Sequence, residues 1–272
     1  MPRINSFFLS PQDWSQENFC LSGEESYHLL RVLRAQEGQV IRLFNGQGQE
    51  GTFKIKKICG KKVFLEPLSQ FTHPQPTPKV YLALAWQRAS KRDIILEKSV
   101  ELKVWKIIFW PGQFSPPCPQ QIKKSWLSKL IAAAKQSQNP WLPQIEFQPS
   151  LEQLIKKYQR IPQKIFFWEK ERDNLLLDLE LQKEILVTIG PEGGFAHEEV
   201  NLLQTKNFEP VSLGDSILRI ETAVILGVGG IYLKHLQDVK NSPHNYPDYD
   251  QNQVQSFITQ AKHCSQAGNK QQ

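Results

Sequence analysis

Ile185-Leu-Val-Thr-Ile-Gly190-Pro191-Glu192-Gly193-Gly194-Phe195, followed by Pro210-Val-Ser-Leu213-Gly214-Asp215-Ser216-Ile217-Leu218-Arg219-Ile220-Glu221-Thr222-Ala223-Val224, reads as two strand–bend–helix units in succession. Each has an apolar or β-branched run, a glycine-bearing bend and a helical stretch: polar from Ala196 in the first unit, apolar in the second. In open α/β sheets such bends lie at the carboxyl ends of strands, where ligands bind. Glycine permits positive φ and lets a ligand approach bare backbone. Two such bends about twenty residues apart can face one pocket from two sides. The first bend is neither GxGxxG nor a lysine-bearing phosphate loop, so those fingerprints do not name the ligand. Glycine placement alone is equally consistent with two tight turns that serve packing.

Upstream, the same alternation continues. Val80–Trp86 is a continuous apolar run, as for a strand buried on both faces. Ser90–Leu102 has helical periodicity, with Ile94, Ile95 and Val100 expected inward and Lys91, Arg92 and Lys98 outward. Val104–Trp110 and Gln163–Trp168 read as further strands, and Ile122–Gln136 as a helix with Trp126, Leu130, Ile131 and Ala134 on its apolar side. Strands alternating with helices predict a mostly parallel sheet covered on both faces.

Before it, Thr72-His-Pro-Gln-Pro-Thr-Pro78 reads as a stiff linker. Residues 1–72 form a small β-rich region: Val40–Phe44 runs into the hairpin signal Asn45-Gly46, Thr52–Ile58 alternates, and Gly60-Lys-Lys turns before Val63–Leu65. Tyr27–Arg34 has helical spacing that places Leu29, Leu30 and Leu33 on one face, with Arg31 and Arg34 near its edge. Residues 237–272, rich in Gln, Asn, Ser, Lys and Asp, predict a mobile polar tail in which Val254, Phe257 and Ile258 form at most one helical turn.

The paired motifs Ile189-Gly-Pro-Glu-Gly-Gly-Phe195 and Leu213-Gly-x-x-Ile-Leu-Arg-x-Glu-Thr-Ala223 resemble the signature of RsmE-type enzymes, SPOUT-class methyltransferases of a uridine N3 in 16S rRNA. His28-Leu-Leu-Arg-Val-Leu-Arg34 and Leu43-Phe-Asn-Gly46 resemble that family's N-terminal segment, so the likeness spans roughly residues 1–235. It implies an α/β SPOUT domain over residues 79–236 with a C-terminal trefoil knot, after a PUA-like β-barrel over 1–72 and the linker 73–78. It also implies S-adenosylmethionine (SAM) as cofactor, held by Gly190, Pro191, Glu192, Gly193, Gly194 and Gly214. Leu213, Ile217 and Leu218 would flank the adenine, unless they are core residues. Phe167 and Trp168 either wall the pocket or pack. Arg31 and Arg34 would contact rRNA or the small ribosomal subunit, or else only solubilise a helix edge. The family pairs through the knotted domain, which predicts a homodimer involving the apolar 217–233 helix.

Methyl transfer to N3 needs the proton removed and the charge on the flanking carbonyls held. Arg219 is the candidate cation. Glu221 accepts a proton, orients Arg219, or serves only as an acidic residue at a helix start. His197 reads as a surface helix residue.

Charge supports a polyanionic partner. Residues 79–136 hold eleven Lys/Arg against three Asp/Glu, a net of +8, within a chain of net +6. Such a basic stripe attracts phosphates, or is a solvated lysine surface. No apolar run reaches the length of a membrane span, and the N-terminus lacks a signal-peptide core. Cys20, Cys59, Cys118 and Cys264 are scattered, suggesting a reducing cytoplasm and neither disulfides nor a metal site.

The chain departs from the family pattern at several places. Ser216 stands where an arginine is usual, Asn139 likewise, Pro111-Gly-Gln-Phe-Ser115 replaces an Arg-Ser pair, and Lys103 replaces glycine in Glu101-Leu-Lys-Val104. Ala196 replaces a capping serine, removing one side of a capping box at a cost of about 1 kcal/mol. Two other readings follow: an RNA-binding paralogue without catalysis, and a methyltransferase of another base or ribose.

Overall fold

The computed structural model describes residues 4–241, apart from Glu17, Arg88 and residues 118–120. The expected tail residues Val254, Phe257 and Ile258 lie outside the described residues. Two compact units are present, one ending at Pro74 and the other running Gln75–Asp238.

The first unit contains β1 (Ser6–Phe8), α1 (Pro11–Trp14), β2 (Phe19–Leu21), α2 (Gly23–Tyr27), β3 (Val40–Phe44), β4 (Gln49–Cys59) and β5 (Lys62–Thr72). They form a five-stranded sheet of order β1-β3-β4-β5-β2, parallel only between β1 and β3. The Asn45-Gly46 signal is a hairpin: Asn45 Oδ1 accepts from the Gln47 and Gln49 amides at 2.8 and 3.1 Å, and Gly46 takes φ +76°. Alternating residues of the long strands point into one core with Phe7, Trp14, Leu29, Leu43, Phe53 and Val63.

The helix expected over Tyr27–Arg34 is modified. After α2 the chain makes a π-helical turn, His28–Val32, before Arg34 stops it in the left-handed region at φ +52°. The wider turn breaks the expected face: Leu29 is buried, Leu30 is half-buried and Leu33 is exposed. Arg31 and Arg34 are both exposed.

The second unit contains β6 (Lys79–Ala85), α3 (Ala89–Glu101), β7 (Lys106–Trp110), α4 (Lys124–Ser137), β8 (Gln144–Phe147), α5 (Leu151–Lys157), β9 (Gln163–Phe167), β10 (Glu184–Ile189), α6 (His197–Thr205), β11 (Glu209–Val211) and α7 (Ile220–Asn241). Its six strands are all parallel, in the order β11-β9-β10-β6-β7-β8. The sheet is thus the expected α/β kind. β8, α5 and a 3-10 turn at Leu176–Asp178 were not signalled by periodicity. α7 continues into the stretch expected to be tail.

In α3 the buried stripe is Arg92, Ile95, Leu96, Ser99 and Val100, a regular helical spacing. That phase leaves Ile94 exposed and turns Arg92 inward, opposite to expectation. Arg92 is held between two indoles, its guanidinium carbon 5.1 Å from the Trp86 ring centre and 4.6 Å from that of Trp126. Cation–π attraction and the apolar stem make that burial tolerable. Lys103 explains itself at the end of α3. It takes φ +57°, and the Lys103 and Val104 amides return to the Val100 and Ser99 carbonyls at 3.2 and 2.9 Å. This is a Schellman ending with lysine in the position glycine favours.

Two glycines let α7 approach its neighbours, Gly227 against β9 and Gly230 against the 3-10 turn. A Cβ on Gly227 would lie 2.1 Å from Phe167 Cε2, and one on Gly230 would lie 2.7 Å from Leu176 Cδ2. Gly229 has only Leu102 at 3.9 Å. Gly229→Ala should therefore gain about 0.5–1 kcal/mol of stability from helix propensity. Gly227→Ala should lose about 1–3 kcal/mol through overpacking, and Phe167→Leu should restore part of it. Urea denaturation midpoints of the three variants check this.

In the first unit Glu50 lies 2.9 Å from His73 Nε2 and pairs with Arg42. Burial alone would raise its pKa, but His73 and Arg42 outweigh burial and hold it below the ordinary carboxylate value. A depressed pKa contributes stability above the unfolded-state value and loses it as pH falls toward the folded-state value. Glu50→Gln should flatten the acid side of the stability–pH curve, measured by denaturation at stepped pH.

Candidate functional site

Register brings three strand ends to one level: Ile189 of β10 and Val211 of β11 both pair with Phe167 of β9. The segments leaving them are 168–175, the Gly190–Phe195 bend and the Ser212–Arg219 bend, and α7 begins directly after the last. The sequence reading that both glycine bends face one place rests on this alignment, which is the usual ligand side of a parallel sheet.

In the first bend the chain folds back on itself. The Phe195 ring lies 3.0 Å from where a Gly190 Cβ would stand, and stacks on Trp110 at 6.3 Å with 13° between planes. Gly194 has φ +79°, and its amide donates to the Pro191 carbonyl at 2.9 Å. Its missing Cβ would sit 3.3 Å from Glu169 Oε1, so the segment after β9 borders this bend. Glu192 is tied to α3 through Lys91 Nζ at 2.8 Å.

The 111–115 segment, where the sequence departs from the family pattern, buttresses this bend. A Cβ on Gly112 would lie 3.3 Å from both Ala85 Cβ and the Pro191 ring, and Phe114 Cβ lies 3.2 Å from the Cβ position of Gly193. The turn closes on itself through Gly112 N–H to Ser115 Oγ at 3.1 Å and Ser115 N–H to the Gly112 carbonyl at 3.0 Å. Glu199 joins the pieces: its carboxylate accepts from the Ala196 amide at 2.8 Å and from the Gln113 amide at 2.9 Å. Ala196 has no oxygen to return, so half of the capping box survives, and that half also anchors the neighbouring loop.

In the second bend Ser212 is buried. Its Oγ accepts from the Gly214 amide at 3.2 Å, and its amide donates to the Asn174 carbonyl at 2.8 Å. Gly214 has φ +112°, and its carbonyl accepts from Arg172 Nη1 at 3.1 Å. Leu213 and Leu218 are half-buried and Ile217 is 89% exposed, so none of the three is a core residue. Ser216 is exposed. Arg219 is exposed, and its carbonyl accepts the first helical bond of α7, from Ala223 N–H at 2.8 Å.

Glu221 lies in the first turn of α7, where an acidic group complements the helix dipole. Its Oε2 is buried without a hydrogen-bond partner among the described residues. Such a group costs free energy, so helix electrostatics alone does not account for it. Phe167 is buried with its ring on Gly227, and Trp168 packs on the sheet core. His197 is exposed at the start of α6. Asn139 does not face a substrate: it is buried, donating to the Val100 carbonyl at 2.8 Å and accepting from the Trp141 amide at 3.0 Å. Arg31 and Arg34 belong to the first unit. Sequence reasoning missed Phe114, Arg172 and the Gln113–Glu199 bond, because each depends on contacts distant along the chain.

Comparison with known proteins matches residues 73–231, more than half the chain, to a family model described as an RNA methyltransferase domain. This chain belongs to the RNA methyltransferase family. A second model, an RNA methyltransferase PUA domain, matches residues 21–68. The ribosomal RNA small subunit methyltransferase E of Rickettsia conorii is 27% identical over 247 residues, 87% of this chain and 99% of that protein. A probable rRNA-methyltransferase from Porphyromonas gingivalis superposes with a TM-score of 0.77 at 27% identity, covering 86% of this chain and all of that one. A Legionella pneumophila methyltransferase structure containing SAM gives 0.74 at 26% identity, covering 86% and 98%. The methyltransferase domain therefore carries both glycine bends, and the PUA domain carries Arg31.

Glu199→Ala should lower the stability of the methyltransferase domain by about 1–2 kcal/mol, since one carboxylate serves two backbone donors. Hydrogen exchange should quicken at Gln113 and Ala196 together. Exchange faster at Ala196 alone would mean that the loop is held by its other contacts.

Proposed function

We propose that this protein transfers a methyl group from SAM to N3 of a uridine in 16S rRNA, as a step of small-subunit maturation in the cytoplasm. The observation that carries this is the alignment of the two glycine bends on strand ends that flank β9 at one level in an RNA methyltransferase domain. The residues present fit the cofactor. Gly214, at positive φ, has nothing within 4 Å of its missing Cβ, and Ile217 beside it presents an exposed apolar side chain. On this reading the backbone of Gly190, Pro191, Glu192, Gly193, Gly194 and Gly214 holds SAM, with Leu213, Ile217 and Leu218 around the adenine. Phe167 and Trp168 support the pocket from behind. Bound there, SAM supplies a methyl group activated by its sulfonium.

The chain's own residues handle charge and proton. The Arg219 guanidinium stabilises the anion that spreads onto the two uracil carbonyls as N3 loses its proton. Glu221, with an oxygen not used inside the protein, accepts that proton or holds Arg219. Arg31 and Arg34 grip RNA phosphates from the PUA domain, and the +8 net charge of residues 79–136 draws RNA to the methyltransferase domain. Ile225, Leu226, Leu233 and Leu236 are exposed along α7 at helical spacing, which supports pairing of two copies through this helix. We read the C-terminal part of the domain as the trefoil knot of its class.

Gly214→Val, which forces a β-branched residue to positive φ, should abolish SAM binding in calorimetry while the protein stays folded. Arg219→Ala should keep SAM affinity and lose about 10²–10³ in single-turnover methyl transfer. Arg219→Lys should recover only part, as a point charge without the planar fork. Nucleoside mass spectrometry of rRNA with and without the protein tests the whole reading. Absence of N3-methyluridine gain with SAM bound would overturn it.

A further inference from the structure

An aromatic ring is left exposed beside the first bend. Phe114 is 56% exposed although its Cβ is 3.2 Å from the Cβ position of Gly193. Exposure of a large apolar side chain on a loop is ordinary when the loop is loose. This loop is not loose: Gly112 packs on Ala85 and Pro191, Ser115 closes the turn, and Glu199 holds the Gln113 amide. The ring is therefore presented on a fixed base, next to the residues assigned to the cofactor. The other aromatics at these strand ends are already engaged. Trp86, Trp110 and Phe167 are buried, Phe195 stacks on Trp110, and Trp168 packs on the core.

Methylation at N3 sets a geometric demand. N3 lies on the pairing edge of uracil, so the base must be unpaired and taken out of the RNA stack before that edge can meet a methyl donor. Leaving the stack costs a π-face contact, which proteins return by stacking the base on an aromatic side chain. We propose that Phe114 is the stacking platform for the extruded target base, a binding residue for the nucleobase that rests on the function proposed above. Gly193 has no side chain to come between the ring and the bend, so base and cofactor site are adjacent. Where the family pattern has an Arg-Ser pair, this chain places an apolar face, so its grip here falls on the base rather than on phosphate.

The experiment uses full-length wild-type protein and the variants Phe114→Ala, Phe114→Leu and Phe114→Trp. Each is titrated with small-subunit rRNA in a binding assay that needs no turnover, then in single-turnover methyl transfer at saturating SAM. Loss of one base stack is worth about tenfold to a hundredfold in binding. Phe114→Ala and Phe114→Leu should weaken the half-saturating RNA concentration by that order, Phe114→Trp should stay near wild type, and SAM affinity should not change. If Leu matches Trp, the side chain is only an apolar filler and the proposal fails. It also fails if Ala binds RNA as wild type does, or if SAM affinity falls in parallel, which would make Phe114 a prop for Gly193. Methyl transfer by the wild-type protein upholds the proposed function whatever the variants do, and its absence beside the Ala, Leu and Trp ranking in binding would strike at the function alone.

Discussion

The seating of Gly227 on the Phe167 ring is the contact on which the methyltransferase domain depends. With any side chain at 227, the last helix would stand away from β9, and it is the start of this helix that fixes Arg219 and Glu221. Phe167 is at the same time the residue that pairs with both Ile189 and Val211. One residue therefore takes part in both, its backbone in the level of three strand ends and its ring in the depth of the helix that follows the third. The site is assembled from backbone because its position is decided by strand register and helix packing. Its side chains have only to stay small or stay clear.

The departures from the family pattern are also settled by packing. Asn139 looks from sequence like a lost RNA contact, yet it is buried and its side-chain amide links the Val100 carbonyl of α3 to the Trp141 amide. In the 111–115 segment, where the family pattern has an Arg-Ser pair, Gly112, Phe114 and Ser115 brace the first bend. Lys103 occupies a left-handed helix ending that glycine would fill more easily, and its ammonium instead rests 5.6 Å from the Tyr232 ring centre on α7.

The parallel sheet, the helices α3, α4, α6 and α7, the hairpin at Asn45-Gly46 and both bends were legible in the sequence, because each rests on local periodicity or on glycine at a turn. Arg92 was not. A charged residue at a helix position reads as outward until the two indoles that enclose it are brought together, and Trp86 and Trp126 are far apart in the chain. Ile94 failed with it, since both errors come from one shift of helix phase. β8 was missed because Gln144–Phe147 is short and only half-buried, which leaves no clear alternation. At the candidate site the two glycine bends were readable as bends, and Arg219 and Glu221 as residues at the start of the last helix. Phe114 was not, because its exposure is meaningful only beside a loop whose rigidity comes from Glu199, 85 residues further on.

The π-helical turn at His28–Val32 has a consequence of its own. A π turn holds one residue more than an α turn, and each residue of an α-helix advances about 100° around the axis. Such a turn is the trace that a single inserted amino acid leaves in a helix. Five residues wound as a π turn cover nearly the same angle as four at about 100° each in an α turn, so excising one residue between His28 and Val32 would restore ordinary winding and leave the chain beyond the turn facing much as it does now. The turn is thus a buffer in the chain, one that takes up a change of length locally before it reaches Arg34.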